Sequence, residues 1–176
     1  PYGKEKENPR LPFEIIEIGA VKLNENMQVT GEFHKLIHPM VYKRLHRKTR
    51  EILDIDMKSL KEGAFFYQAV REFLQWCGED YMFCTWGNMD LIELQRNMKY
   101  YGLQELLPGP VRFYDVQKLF SIAFEDGKSR RALEYGIDYL HLEKSEDFHH
   151  ALTDAHYTAK ILKRIDSSVV KSNFSI

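Results

Sequence analysis

Two short stretches hold side chains whose types and spacing suit chemistry. In TWGNMDLIEL, residues 85–94, Asp90 follows a short apolar run and falls in what reads as the first turn of a helix. In HHALTDAHYTAKIL, residues 149–162, Asp154 borders a stripe of Ala151, Ala155 and Ala159, with His149 and His150 just ahead of it. Small residues every four positions let a helix axis come close to a sheet. His149 is five residues from Asp154, the wrong spacing for one face of a continuous helix, so it meets Asp154 only from a loop folded back over the first turn. Two acids on separate helices with a histidine beside one suit a divalent-metal phosphoryl-transfer site. Mg²⁺ and Mn²⁺ take carboxylate oxygens, paired ions clamp attacking and leaving oxygens, and an imidazole accepts a proton from water near neutral pH. Each residue also has a plainer reading, as a first-turn acid complementing a helix dipole or a solvated loop histidine.

The surrounding pattern supplies elements to position them. Residues 1–13, charged and carrying three prolines, read as an N-terminal loop. EIIEIGAVKL (14–23) and GEFHKLIHP (31–39) read as an antiparallel hairpin around the polar NENMQVT. A helix is predicted from Ser59, as N-cap, through residue 79, because Leu60, Ala64, Tyr67, Val70, Phe73, Leu74 and Cys77 recur at helical spacing. YMFCTWG (81–87) reads as a strand, NMDLIELQRNMKYYG as a helix stopped by Gly102, and VRFYDVQKLF as a strand turning helical. SRRALEYGIDYL and ALTDAHYTAKILKRID read as helices, and residues 167–176 as a frayed tail. The order β-β-α-β-α-β-α-α describes one α/β domain over 1–176.

With 176 residues, 44% of them hydrophobic, the chain is long enough to bury roughly 70% of its unfolded surface without staples. Its net charge of −1 excludes a broadly basic nucleic-acid coat protein, but not an enzyme gripping a few terminal phosphates. No apolar run reaches the roughly 18–20 residues of a membrane span. Cys77 and Cys84 lie in apolar surroundings and are expected to be reduced thiols of a cytoplasmic protein.

These segments together resemble the DEDDh-type 3′–5′ exonucleases of the RNase H-like fold, nearest to the KapD-like and histone-mRNA-exonuclease-like branch. EIIEIGAVKL is similar to that family's second strand, TWGNMDLIEL to its second acidic motif, and HHALTDAHYTAKIL to its third, H-x-A-L-x-D-A. The resemblance implies a mixed β-sheet flanked by helices, metal ligands at Asp90 and Asp154, and a general base at His149, with His150 in the variable position. It further implies two Mg²⁺ or Mn²⁺ ions, the 3′ end of single-stranded RNA or DNA as substrate, and nucleoside 5′-monophosphates as products. The family's first motif, an Asp-x-Glu pair on a central strand ahead of EIIEIGAVKL, is absent from this sequence. The reading therefore expects the upstream strand to be missing here, with metal binding weak and activity low. Glu14 and Glu17 match ordinary second-strand positions, and Asp115 reads as structural.

For substrate contacts, Met89 matches a residue that lies against the terminal base, and Ile55 matches the isoleucine of a T-G-I motif whose Thr and Gly are here Leu53 and Asp54. Trp86 suits either base stacking or core packing at a strand end. The basic run YKRLHRKTR (42–50) reads as a solvated helix face or as a track for the entering strand. The alternative function is a non-catalytic RNase H-like module that binds nucleic acid or a regulatory protein.

Overall fold

A computed structural model describes residues 8–45, 49, 55–144 and 150–176. Its architecture starts with a hairpin, β1 (Glu17–Leu23) and β2 (Val29–Leu36), paired antiparallel from Glu17 opposite Leu36 to Leu23 opposite Val29. The turn is local chemistry: the Asn24 side-chain oxygen accepts from the backbone N–H groups of Asn26 at 3.0 Å and Gln28 at 2.9 Å. A parallel pair follows, β3 (Phe83–Thr85) beside β4 (Phe113–Asp115). Both pairing senses of the expected mixed sheet are present, as two separate two-stranded sheets.

Helices α1 (Met57–Lys61) and α2 (Phe66–Cys77) replace the single helix predicted over 59–79. Ser59 is not the N-cap; Asp56 is, accepting from Ser59 N–H at 2.7 Å. The break has a tertiary cause. Ala64 N–H donates to Leu36 O at 3.0 Å, and His38 N–H donates to Ala64 O at 2.9 Å, so these backbone groups extend the β2 edge instead of a helix. The remaining helices are α3 (Met89–Tyr100), α4 (Val116–Phe124), α5 (Leu133–Tyr139), α6 (Ala151–Leu162) and α7 (Ser167–Ser172). Gly102 ends α3 in the left-handed region at φ 69°, as its position predicts. Asp115 does structural work, capping α4 by accepting from Lys118 N–H at 2.9 Å.

The 167–176 segment is ordered, contrary to the frayed tail expected. Asp166 caps α7, and Ser175 exchanges both backbone bonds with Phe113, at 3.0 and 2.8 Å. At the other end, the 8–13 loop is tied down by Leu11, which is wholly buried. Two apolar clusters form the core. One joins Phe33, Phe66, Val70 and Phe73 to Leu91, Leu94 and Met98 of α3; the other joins α4, α5 and α6 around Phe120, Ile137 and Ile161. Each buried aliphatic or aromatic side chain contributes about 1.5–3 kcal/mol by leaving water, which is what holds α3 and α6 to their strands.

Candidate active site

Asp90 is placed by a strand–turn–helix unit. The chain leaves β3 at Thr85, whose hydroxyl donates to Gly87 O at 2.5 Å, and Gly87 adopts φ 86° before α3 begins at Met89. That left-handed residue lets a short connection swing the helix over the carboxyl end of the parallel pair, where open α/β sheets collect ligands. Asp90 lies in the first turn and keeps access to solvent. At the buried face of the same helix, Asn97 is wholly enclosed. It accepts from Ile15 N–H at 3.1 Å and donates to Phe13 O at 3.0 Å and Glu93 O at 2.8 Å, stitching residues 13–15 to α3.

Asp154 is placed by backbone contact. A Cβ on Gly19 of β1 would fall 2.1 Å from the Leu152 nitrogen and 2.3 Å from the Ala151 carbonyl carbon, so the first turn of α6 rests directly on the strand. The approach is made at Ala151, the first residue of the predicted small-residue stripe, and at Leu152. His150 is the N-cap in extended conformation, with Asp154 N–H donating to its carbonyl at 2.9 Å. Asp154 O in turn accepts from the Thr158 hydroxyl at 2.8 Å.

The two acids interact. Desolvation by the surrounding protein raises the Asp90 carboxyl above its ordinary range, and the negative charge of Asp154 raises it further. The charge of Asp154 thus acts on Asp90, although the two sit 64 positions apart in sequence (154 − 90). Among the described residues, no group of three or more His, Cys, Asp and Glu side chains converges to hold a metal ion. The pair nonetheless fits a hard cation: Mg²⁺ commonly binds through one or two carboxylates and keeps the rest of its shell for water and substrate phosphate. A carboxyl whose proton is held by a like-charged neighbour is relieved by a cation between them.

His149, Leu53, Asp54, Arg47, Lys48 and Arg50 lie outside the described residues. Met89 is 55% exposed beside Asp90, so its thioether is open to a ligand. Ile55 is buried. Trp86 is packed in the manner of its core reading: its indole N–H donates to Arg131 O at 2.8 Å, its ring meets Phe120, and Gly136 leaves room for it.

Glu14 and Glu17 are engaged elsewhere. Glu14 gathers the N–H groups of Met40, Val41 and Tyr42 at 2.6–3.0 Å. Glu17, its side chain 6% exposed, holds His34 Nε2 at 2.7 Å and lies 3.9 Å from His150 Nδ1. Sequence reasoning passed over this contact to the head of α6; its one signal was an acid inside the otherwise apolar run IIEIGAV.

Comparison with known proteins fits this geometry. The solved nuclease domain of 3′hExo, described as a DEDDh family member bound to rAMP, shares the fold with a TM-score of 0.80, at 17% identity, over 93% of this chain and 86% of that one. A 3′-exonuclease solved in recognition of the histone mRNA stem-loop shares it with a TM-score of 0.72, at 15% identity, over 85% of this chain and 70% of that one. The fold is thus the RNase H-like α/β fold of the exonucleases. Residues 8–162 match the exonuclease (RNase T) family, and the chain belongs to it. The probable 3′–5′ exonuclease KapD of Bacillus subtilis (strain 168) is 28% identical over 172 residues, covering 94% of this chain and 79% of the relative. The enzyme class is 3′–5′ exonuclease.

Proposed function

We propose that the protein removes nucleotides one at a time from the 3′ end of single-stranded RNA or DNA, using divalent cations held by Asp90 and Asp154. The observation that carries this reading is the placement of those two carboxylates, each on the first turn of a helix, with the charge of Asp154 adding to the desolvation that raises Asp90. A bound Mg²⁺ or Mn²⁺, two ions in the full reading, supplies neutralisation of charge at the scissile phosphate. His149, just ahead of the α6 N-cap in sequence, takes the proton of the attacking water. The water oxygen bonds phosphorus and the P–O3′ bond breaks. A nucleoside 5′-monophosphate leaves, and the shortened strand keeps a 3′-hydroxyl. Met89 and Ile55 form the wall for the terminal base, with Trp86 backing the turn that carries Met89.

RNA is the preferred substrate in this reading because the solved relative named above recognises a histone mRNA stem-loop. Cys77 and Cys84 are free, and burial pushes both thiols up to about 11, which fits reduced, unreactive cysteines in the cytoplasm. No helix among the described residues is long and apolar enough to cross a membrane.

The test follows a 20-nucleotide single strand labelled at its 5′ end, incubated with the protein and Mn²⁺. Stepwise shortening that stops on chelation is the expected result. Release of the labelled 5′ nucleotide at the outset, with no ladder of intermediate lengths, would refute the polarity.

A further inference from the structure

A groove of about 430 Å³ lies on the solvent side of α3, lined by Arg10, Gln95, Arg96, Lys99 and Tyr100. Three of its five lining residues are cations and none is an acid, in a chain whose net charge is −1. That local excess sets up a positive field at the groove. Glu93 pairs with Arg96 from just outside the lining and fixes the guanidinium, and among the described residues Arg10 and Lys99 have no carboxylate partner.

The groove is built rather than incidental. Arg10 comes from the 8–13 loop, and that loop is gripped from two directions. Tyr42 hydroxyl accepts from Asn8 N–H at 3.1 Å and donates to Leu11 O at 2.7 Å. Tyr100 hydroxyl accepts from the Asn8 side chain at 3.4 Å, and Asn8 closes its own turn on Arg10 N–H at 3.0 Å. Arg10 is therefore presented on ordered backbone, so binding an anion there does not have to order a loop. Lys43 and Arg44, exposed, follow Tyr42 directly in sequence.

Position gives the ligand. Met89, Ile92, Arg96 and Lys99 recur at helical spacing on the outer face of α3, so the groove lies about 10 Å along the helix from Met89 and Asp90. The stripe begins with exposed apolar side chains, Met89 at 55% and Ile92 at 38%, and ends in cations. Bases meet the first part and phosphates the second. We infer that the Arg10–Arg96–Lys99 groove binds the sugar–phosphate backbone of a single strand a few nucleotides upstream of its 3′ end, making it a length-dependent substrate site. The inference rests on the exonuclease reading for its polarity, but its test does not.

Binding of 5′-fluorescein-labelled oligouridylate to the full chain is measured by anisotropy in EDTA, where no turnover occurs, for a 15-mer and a dinucleotide over a range of salt. For Arg10→Ala/Lys99→Ala, the 15-mer should lose affinity about tenfold more than the dinucleotide, and its log–log salt slope should fall by about 1.4, two phosphate contacts on a single strand. Lys99→Arg should retain the wild-type slope. An unchanged slope, or equal losses for both lengths, overturns the proposal. Failure of the exonuclease reading has a different signature: a wild-type protein that shows the groove-dependent slope in EDTA yet leaves the 15-mer intact when Mn²⁺ is supplied.

Discussion

The two helix starts that carry the acids are fixed by opposite means. The head of α6 is set by backbone lying on backbone: Gly19 admits the Leu152 nitrogen to a distance at which no side chain fits. The head of α3 is held more loosely. Its N-cap, Asn88, makes no side-chain capping bond, nor does His150 at α6. Among the described residues, however, no glycine admits backbone so closely at the head of α3, which is secured farther along by Leu91, Leu94, Met98 and the three bonds of Asn97. Close backbone packing thus belongs to the side that carries Asp154. The side presenting Asp90 and Met89 remains open to solvent, where a substrate end must enter.

Substitutions on the two sides sharpen that contrast. The largest effect is expected from His149→Ala, which, in protein carrying the family's Asp-x-Glu pair, should lower turnover by roughly 10²–10⁴ while Mn²⁺ still binds, read by steady-state kinetics beside metal titration. Gly19→Ala should follow, at about 10² in kcat, because displacing α6 by the better part of an ångström misplaces Asp154. Retained activity would show that α6 is not located by that contact. On the α3 side, Asn97→Ala strands Ile15 N–H and Phe13 O in a buried setting and should cost about 1–3 kcal/mol in denaturant unfolding. Its effect on kcat should be smaller than that of Gly19→Ala.

The mildest expectation concerns pH. The Asp90 carboxyl titrates above its usual 3.8 in the folded chain, so just above that pH the native state holds more proton than the unfolded one. Metal-free stability should therefore fall as pH rises through the interval between the usual and raised values. Asp90→Asn should flatten that fall in a pH series of thermal midpoints.

What the sequence made legible follows from how locally each feature is determined. Asp90 and Asp154 could be placed in first turns because a short apolar strand before a helix and an alanine stripe are both short-range patterns. The start of α4 was equally readable, since Asp115 caps its own helix three residues on. The division between α1 and α2 was hidden because its cause, pairing of Ala64 with the end of β2, joins segments 28 residues apart (64 − 36). Ordering of the tail depends likewise on Ser175 meeting Phe113. Glu17 was hidden for the same reason: His34 and His150 come to it from a paired strand and a distant helix head. Apolar periodicity marks residues 60–77 as buried without saying where the backbone must leave the helix to complete a sheet edge.

The central claim, that Asp90 and Asp154 share a cation, is tested most directly by Mn²⁺ titration monitored by electron paramagnetic resonance. Wild type, Asp90→Asn, Asp154→Asn and the double variant form a thermodynamic cycle. If the carboxylates share the ion, either single change removes most of the affinity and the double change removes little more. Wild-type affinity in Asp154→Asn, or losses that simply add, would contradict the account.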